Sequence, residues 1–321
     1  VIARGRAPLL ALALLCSTGA GAAPGFVYGP YKDVTLGLDE RSLLMAPPPA
    51  PQAVVSWAFA SGECGDEHWA GRDAARFAAV NVAAHVRAGA RYIVSTGGAK
   101  GVFTCGSEAG MARFVARYDS PQLVGFDFDI EAGQTPALVD ALVQRVAFAQ
   151  RNRPGLRFSF TLATHAGSDA RRAGLNAQGR AVVQALQRHG LRDAVINLMV
   201  MDYGPADAGV CVLGADGRCD MGRSGLQAAR NLQRRHGVPL RRIALTPMLG
   251  INDVVENVVD LDAARRVARD ARQHGLAGLH YWSLDRDRPC DGGATAVSPL
   301  CSSLNTLPAG AFDRAMQDAL R

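Results

Sequence analysis

Eight short apolar runs alternate with helix-like segments along this chain, and that alternation limits the available folds more than any other feature. The runs fall at residues 25–29, 53–59, 90–95, 123–130, 157–162, 195–201, 242–247 and 278–283. Helical patterns separate them, the clearest at residues 136–151, 173–189, 222–236, 261–274 and 311–320. Strands alternating with helices argue for parallel βα units. Eight such units in 321 residues fit a closed (β/α)8 barrel, the TIM barrel of the α/β class, better than an open doubly wound sheet. A hydrophobic share of 48% is ample for its core. The weakest link lies between the first two runs, where the Ala-Pro-Pro-Pro-Ala-Pro stretch at residues 46–51 breaks any helix. No linker and no internal repeat divides residues 24–321, which read as a single domain.

Chemistry concentrates in the fourth run. In the nonapeptide from Leu123 to Glu131, the odd positions end in Asp127, Asp129 and Glu131, while Val124, Phe126, Phe128 and Ile130 fill the even ones. Strand side chains alternate between faces, so three carboxylates share one row. Gathering like charges is costly unless they share protons or serve a substrate. In a parallel barrel the chemistry sits at the carboxyl ends of the strands, and other polar and aromatic residues collect there. They are Ser95 to Gly98 on the third strand, Met199 to Gly204 on the sixth, and Thr246 to Gly250 followed by Asn252 and Asp253 on the seventh. The eighth supplies His280 to Asp285.

The remaining composition places the chain outside the reducing cytosol. Arg4 and Arg6, an apolar run at residues 8–16 and small residues up to Ala23 read as a secretion signal over residues 1–23, too short to span a bilayer. No later stretch is long and apolar enough to be a membrane span, so a secreted protein, extracellular or periplasmic, is expected. Cys16 leaves with the signal, and Cys64, Cys105, Cys211, Cys219, Cys290 and Cys301 remain. An even number in an exported chain reads as disulfides, with about fifteen pairings open. Proximity favours Cys211–Cys219 and Cys290–Cys301, which leaves Cys64 with Cys105. No cluster has metal-ligand spacing, and neither metal nor other cofactor is expected. Net charge is +6, carried almost wholly by scattered arginines. Without a clustered basic and aromatic surface, no nucleic-acid partner is expected.

Together these strand ends resemble the glycoside hydrolase family 18 chitinases. The resemblance rests on the DxDxE of Asp127, Asp129 and Glu131, the SxGG of Ser95 to Gly98, Met-Asp-Tyr on the sixth strand, and Trp282 on the eighth. Two departures stand out. Val124 occupies the position where the family's DxxDxDxE motif begins with Asp, and by alternation it should face the helices. Met201 stands at the Tyr of the family's MxYD, with Asp202 kept and Tyr203 next to it as a substitute source of the phenol.

The resemblance implies a retaining, substrate-assisted hydrolysis of β-1,4-linked N-acetylglucosamine polymers, a route outside the usual two-carboxylate scheme. In that route Glu131 protonates the leaving oxygen and the substrate's own acetamide attacks the anomeric carbon. Asp129 holds the acetamide N–H, and Asp127, with Ser95 beside it, shares a proton with Asp129. Asp202 and Tyr203 contact the acetamide, and Trp282 forms the floor beneath the sugar. Tyr28, Phe59, Met199 and Met248 are further candidate contacts, Tyr28 and Phe59 equally readable as core, as is Asn252. His165 and His280 read as structural. Only a short stretch separates Pro247 from the helix near Asp260, leaving no room for the α+β insertion of processive relatives. An open cleft and endo attack are expected, with the segment from Asp207 to Met221 as one lip. Chitin or N-acetylglucosamine oligosaccharides are the expected partners of a monomer. The same triad would serve an endo-β-N-acetylglucosaminidase acting on N-glycan cores, while a lectin-like barrel would lack the acid that Glu131 supplies.

Overall fold

The computed structural model describes residues 25–45, 53–131, 133–169, 174–293 and 295–321. The expected secretion signal and the proline-rich stretch at residues 46–51 lie outside them. Eight strands form the barrel: β1 (Val27–Asp33), β2 (Val55–Glu63), β3 (Tyr92–Gly97), β4 (Leu123–Asp129), β5 (Arg157–His165), β6 (Val195–Met199), β7 (Ile243–Thr246) and β8 (Gly278–Tyr281). Each pairs in parallel with its sequence neighbours, and β1 pairs with both β8 and β2, which closes the ring. The chain is therefore a single-domain (β/α)8 barrel.

Helices α1 (Ala74–Ala88), α2 (Glu108–Arg117), α3 (Pro136–Asn152), α4 (Ala177–Arg188), α5 (Met221–His236), α6 (Leu261–Gln273) and α7 (Ala311–Leu320) alternate with the strands from β2 onward. Local chemistry sets their starts. Asp73, Ser107, Thr135, Asn176, Asp220 and Asp260 each accept a backbone N–H of the first turn, and Pro136 opens α3.

The apolar core lies between strands and helices. Trp57 stacks on Tyr92 at 4.2 Å and Trp69 on Phe77 at 4.3 Å, while Phe114, Phe126, Phe128, Phe158 and Phe160 continue the layer. The strand residues among these take outward positions, while Phe77 and Phe114 pack onto them from α1 and α2. The inward positions are largely polar (Tyr31, Ser95, Asp127, Ser159, Thr161, Asn197, Thr246), so the barrel axis is a hydrogen-bonded column.

Strands β2 and β5 run past the expected residues 59 and 162 to Glu63 and His165, β6 stops at Met199, and β1 and β4 differ in ways that shape the barrel. The sequence pattern places the first run at residues 25–29, but β1 continues to Asp33. Gly29-Pro30 resembles a stop signal, yet the strand changes partners there, running beside β8 through Pro30 and beside β2 from Tyr31. Val124 does not face the helices as simple alternation requires. Tyr92 is opposite Leu123 but Ile93 is opposite Gly125, so Val124 is the extra residue of a bulge. It packs with Val27, Val54 and Ile93.

Candidate active site

Asp127 and Asp129 point into the barrel because β4 alternates cleanly after the bulge. Asp127 is buried and receives four hydroxyl hydrogen bonds: Ser159 (2.6 Å) and Thr161 (2.9 Å) donate to Oδ1, Ser95 (2.7 Å) and Tyr31 (3.0 Å) to Oδ2. Asn197 braces this cage by donating to Tyr31 Oη (3.0 Å) and Thr161 Oγ1 (2.9 Å), and Thr246 donates to Asn197 Oδ1 at 2.9 Å. Burial raises the Asp127 carboxyl above its ordinary range, and the hydroxyl donors oppose that rise.

Asp129 differs in kind. It is equally buried, but its Oδ1 has no hydrogen-bond partner. Burial first, then Glu131 and Asp127, push its carboxyl well above the usual range. Glu131 is half-buried and also raised, by burial first and then by Asp202 and Asp253. Asp202 accepts the Val254 N–H at 2.8 Å and is raised chiefly by burial. The site thus gathers acids that hold protons more tightly than free carboxyls do.

The carboxylates open into a cleft of about 1330 Å³, and Asp129, Glu131, Met199, Met201, Asp202, Met248, Phe59 and Trp282 all line it. Phe59 and Trp282 stack with centroids 5.7 Å apart and planes 13° from parallel, and Tyr31 lies within 6.2 Å of both. Both aromatics adjoin non-proline cis peptide bonds. Gly97 and Gly98 have φ of 86° and 77°. A Cβ at 98 would stand 2.6 Å from the Phe59 ring, and one at 97 would strike the Asp129 carbonyl, so this turn needs both glycines.

Ser95 stands beside Asp127, beneath the cleft and not on its surface. Other expected residues sit elsewhere. Tyr28 is outside the barrel, where its hydroxyl donates to Asp313 of α7 at 2.6 Å; with β1 extended, the inward tyrosine is Tyr31. Tyr203 is buried with no partner for its phenol, and burial raises its pKa. Its backbone N–H donates to Asn257 Oδ1 at 2.7 Å, and Met201, not Tyr203, lines the cleft. Asn252 is buried in the same stitching, bonded to the Met248 and Gly250 carbonyls. His165 lines the cleft, while His280 is buried inside the barrel.

All three disulfides, Cys64–Cys105, Cys211–Cys219 and Cys290–Cys301, are formed. The segment from Asp207 to Met221 is not a lip: it packs on α5, where Val212 N donates to Ser224 Oγ. Val297, Ser298 and Pro299, inside the Cys290–Cys301 loop, form that wall instead. Among the described residues, the grouping with ligand-like proximity is Glu63, Cys64 and Cys105, whose sulfurs are already bonded to each other.

Sequence reasoning missed Tyr31, Ser159, Thr161, Asn197 and Arg286. A signal existed for β5, where Ser159 and Thr161 alternate with Phe158, Phe160 and Leu162 just as the acids alternate on β4. Arg286 lines the cleft while fully buried, donating to the carbonyls of Leu249, Ile251 and Ser298, and burial lowers its pKa to about 10.

No protein-family model matches the chain. The chain is 32% identical over 136 residues to a probable bifunctional chitinase/lysozyme of Escherichia coli, an alignment covering 39% of this chain. It spans only 14% of the length of that curated relative. The catalytic domain of a hyperthermophilic chitinase from Pyrococcus furiosus superposes with a TM-score of 0.70 at 25% identity, covering 94% of this chain and 97% of that one. Active domain 2 of a thermostable chitinase from the same organism, solved as catalytic-site mutants complexed with chito-oligosaccharides, gives 0.69 at 24% identity, covering 94% and 96%. The chain has the fold of these chitinases, shared also with a family GH18 chitinase from Chromobacterium violaceum at a TM-score of 0.56 and 18% identity, covering 92% of this chain and 83% of that one.

Proposed function

We propose that the protein is an endo-acting chitinase that cleaves β-1,4-linked N-acetylglucosamine chains by a retaining, substrate-assisted mechanism. The observation that carries this reading is the bare, buried oxygen of Asp129 beside a half-buried, proton-retaining Glu131, under stacked Phe59 and Trp282. An unpartnered buried carboxylate oxygen is costly, and a substrate acetamide N–H would satisfy it. The Trp282 face suits the C–H face of a sugar ring. The chito-oligosaccharides bound to the Pyrococcus relative agree with such an occupant.

The steps follow from these positions. Glu131 gives its proton to the glycosidic oxygen, and the C1–O pair leaves with that oxygen. The acetamide carbonyl oxygen of the same sugar supplies the pair that forms a new bond to C1, giving an oxazolinium ion. Asp129 accepts its N–H and stabilises the positive charge. Water then attacks C1 from the vacated face, its proton passes to Glu131, and the ring reopens with retention. With all four hydroxyls turned toward Asp127, the shared proton resides on Asp129 and Glu131, and Asp127 stays a fixed negative charge. The short connection from β7 to α6 holds one two-residue hairpin, Gly250–Ile251 with Val258–Val259, which leaves the cleft open to internal attack. Three disulfides fit an oxidising, extracytoplasmic setting. No helix among the described residues is long and apolar enough to cross a membrane.

The test compares colloidal chitin with a high-mannose glycoprotein, for the native chain and Glu131→Gln. Soluble oligomers from chitin, an intact glycoprotein and a loss of about 10²–10⁴-fold in the variant are expected. Preferential cleavage of the glycoprotein core would make the protein an endo-β-N-acetylglucosaminidase, and full activity of the variant would remove Glu131 from the mechanism.

A further inference from the structure

Below the acid row, the barrel interior holds a cation that the mechanism above does not use. Arg157 opens β5 with its side chain inward, one inward step beneath Ser159, since Gly125 is opposite Arg157 and Asp127 opposite Ser159. It is buried, and of its guanidinium nitrogens only Nη1 has a hydrogen bond, to the Ala277 carbonyl at 3.2 Å, while Nε and Nη2 have none. Its Nη2 lies beside Gly278, where a Cβ would be at a contact distance of 3.4 Å from it, although the 2.5 Å approach to the Val27 carbonyl is what requires the glycine. Guanidinium groups are rarely buried with so few partners. One weak hydrogen bond does not explain this one.

The charges around it supply a reason. The titratable groups facing the column and its mouth are Tyr31 from β1, Asp127, Asp129 and Glu131 on and just beyond β4, Arg157 from β5, Asp202 beyond β6, Asp253 beyond β7, His280 from β8 and Arg286 beyond it. His280 stays neutral, its pKa lowered to about 3 by burial and by Arg157. Tyr31 stays protonated, since burial and then Asp127 raise it well above its ordinary range. Arg286 stands at the mouth near Asp202 and Asp253, so Arg157 is the cation beneath the acid row. Burial lowers its pKa to about 10, opposed by attraction to Asp127, so it keeps its charge at working pH.

We propose that Arg157 is a positioning residue whose buried charge fixes Asp127 as a carboxylate and so places the titration of the Asp129–Glu131 pair. The hydroxyls of Tyr31, Ser95, Ser159 and Thr161 orient that carboxylate, and Arg157 supplies the opposite charge that solvent would otherwise provide. The idea rests on the proposed function for its kinetic readout but not for its thermodynamic one.

Removing a positive charge raises the pKa of every nearby carboxyl. Both limbs of the kcat–pH profile on a chitin oligomer should therefore move to higher pH in Arg157→Met, by on the order of one pH unit. Arg157→Lys, which keeps the charge, should leave the limbs where they are. A purely structural arginine would lower kcat or stability in both variants without moving either limb, and unmoved limbs in Arg157→Met overturn the proposal. The second measurement needs no activity: thermal midpoints at pH 7 of Arg157→Met, Asp127→Asn and the double variant. Opposed charges require the double variant to be more stable than the sum of the two single losses allows. Additive losses, or a double variant that folds no better than Arg157→Met alone, overturn the proposal even if the chain cleaves no chitin.

Discussion

Asp127 and Asp129 stand two residues apart on one face of β4, and their surroundings assign them opposite tasks. Four hydroxyls saturate Asp127, whereas Asp129 keeps a bare oxygen. Burial first, then Glu131 and Asp127, hold the Asp129 carboxyl well above its ordinary range. The folded chain consequently binds that proton more tightly than the unfolded chain. The contribution of this group to stability is thus fully present below the ordinary carboxylate pKa of about 4 and is lost as pH rises through the raised value. Asp129→Asn removes this penalty and also relieves its neighbours. Its thermal midpoint relative to the native chain should be higher at pH 7 than at pH 4, with hydrolysis lost at both. Scanning calorimetry at the two pH values reads this, and a relative midpoint that does not rise with pH would contradict it. Such a result would place Asp129 among ordinary buried carboxyls. The acid row was plain in the sequence because alternation fixes which face a residue takes. Which acid would be satisfied was not, because that depends on hydroxyls from three other strands.

At the scale of elements, the strands on either side of β4 were legible as apolar runs, and the carboxyl ends of β3, β4 and β8 delivered their glycines, acids and tryptophan to the cleft. What escaped was set by partner strands rather than by local pattern. The bulge that turns Val124 toward Val27, Val54 and Ile93 exists only in the β3–β4 register. Gly29-Pro30 looked like the end of β1 and is its change of partner. Helices α1 and α2 were not among the clearest patterns, the first because its alanine-rich sequence marks no sharp apolar face. The cleft wall was assigned to the wrong disulfide loop, since spacing gives a loop's closure but not its direction. The Cys290–Cys301 loop carries Val297 to Pro299 to the rim, and Arg286 ties the Ser298 carbonyl to the β7 loop. Replacing Cys290 and Cys301 by serine should cost about 2–4 kcal/mol of stability and raise KM more for a chitin hexamer than for a trimer. The Cys211–Cys219 pair serves as control, with a stability loss in denaturant titrations and no KM change. Equal KM effects from both pairs would mean that the rim does not touch the longer substrate.

Taken whole, the molecule keeps its apolar core outside the barrel and runs a polar column along the axis, from Arg157 through Asp127 and its hydroxyl cage to Asp129, Glu131 and the aromatic pair above. Packing of the outer layer makes the ring rigid, and that rigidity lets a costly cluster of acids persist. Asp127 is already bonded on both oxygens and Asp129 is buried in the cleft floor, so in the proposed mechanism neither serves as the nucleophile. In that proposal the nucleophile is the substrate's own acetamide oxygen. The most direct measurement is proton NMR of an N-acetylglucosamine tetramer during the first minutes of digestion, before the products mutarotate. The new reducing ends should appear as the β anomer, the retained configuration that an oxazolinium route requires. Initial formation of the α anomer would mean direct attack by water and would contradict the assignment of Asp129 and Glu131.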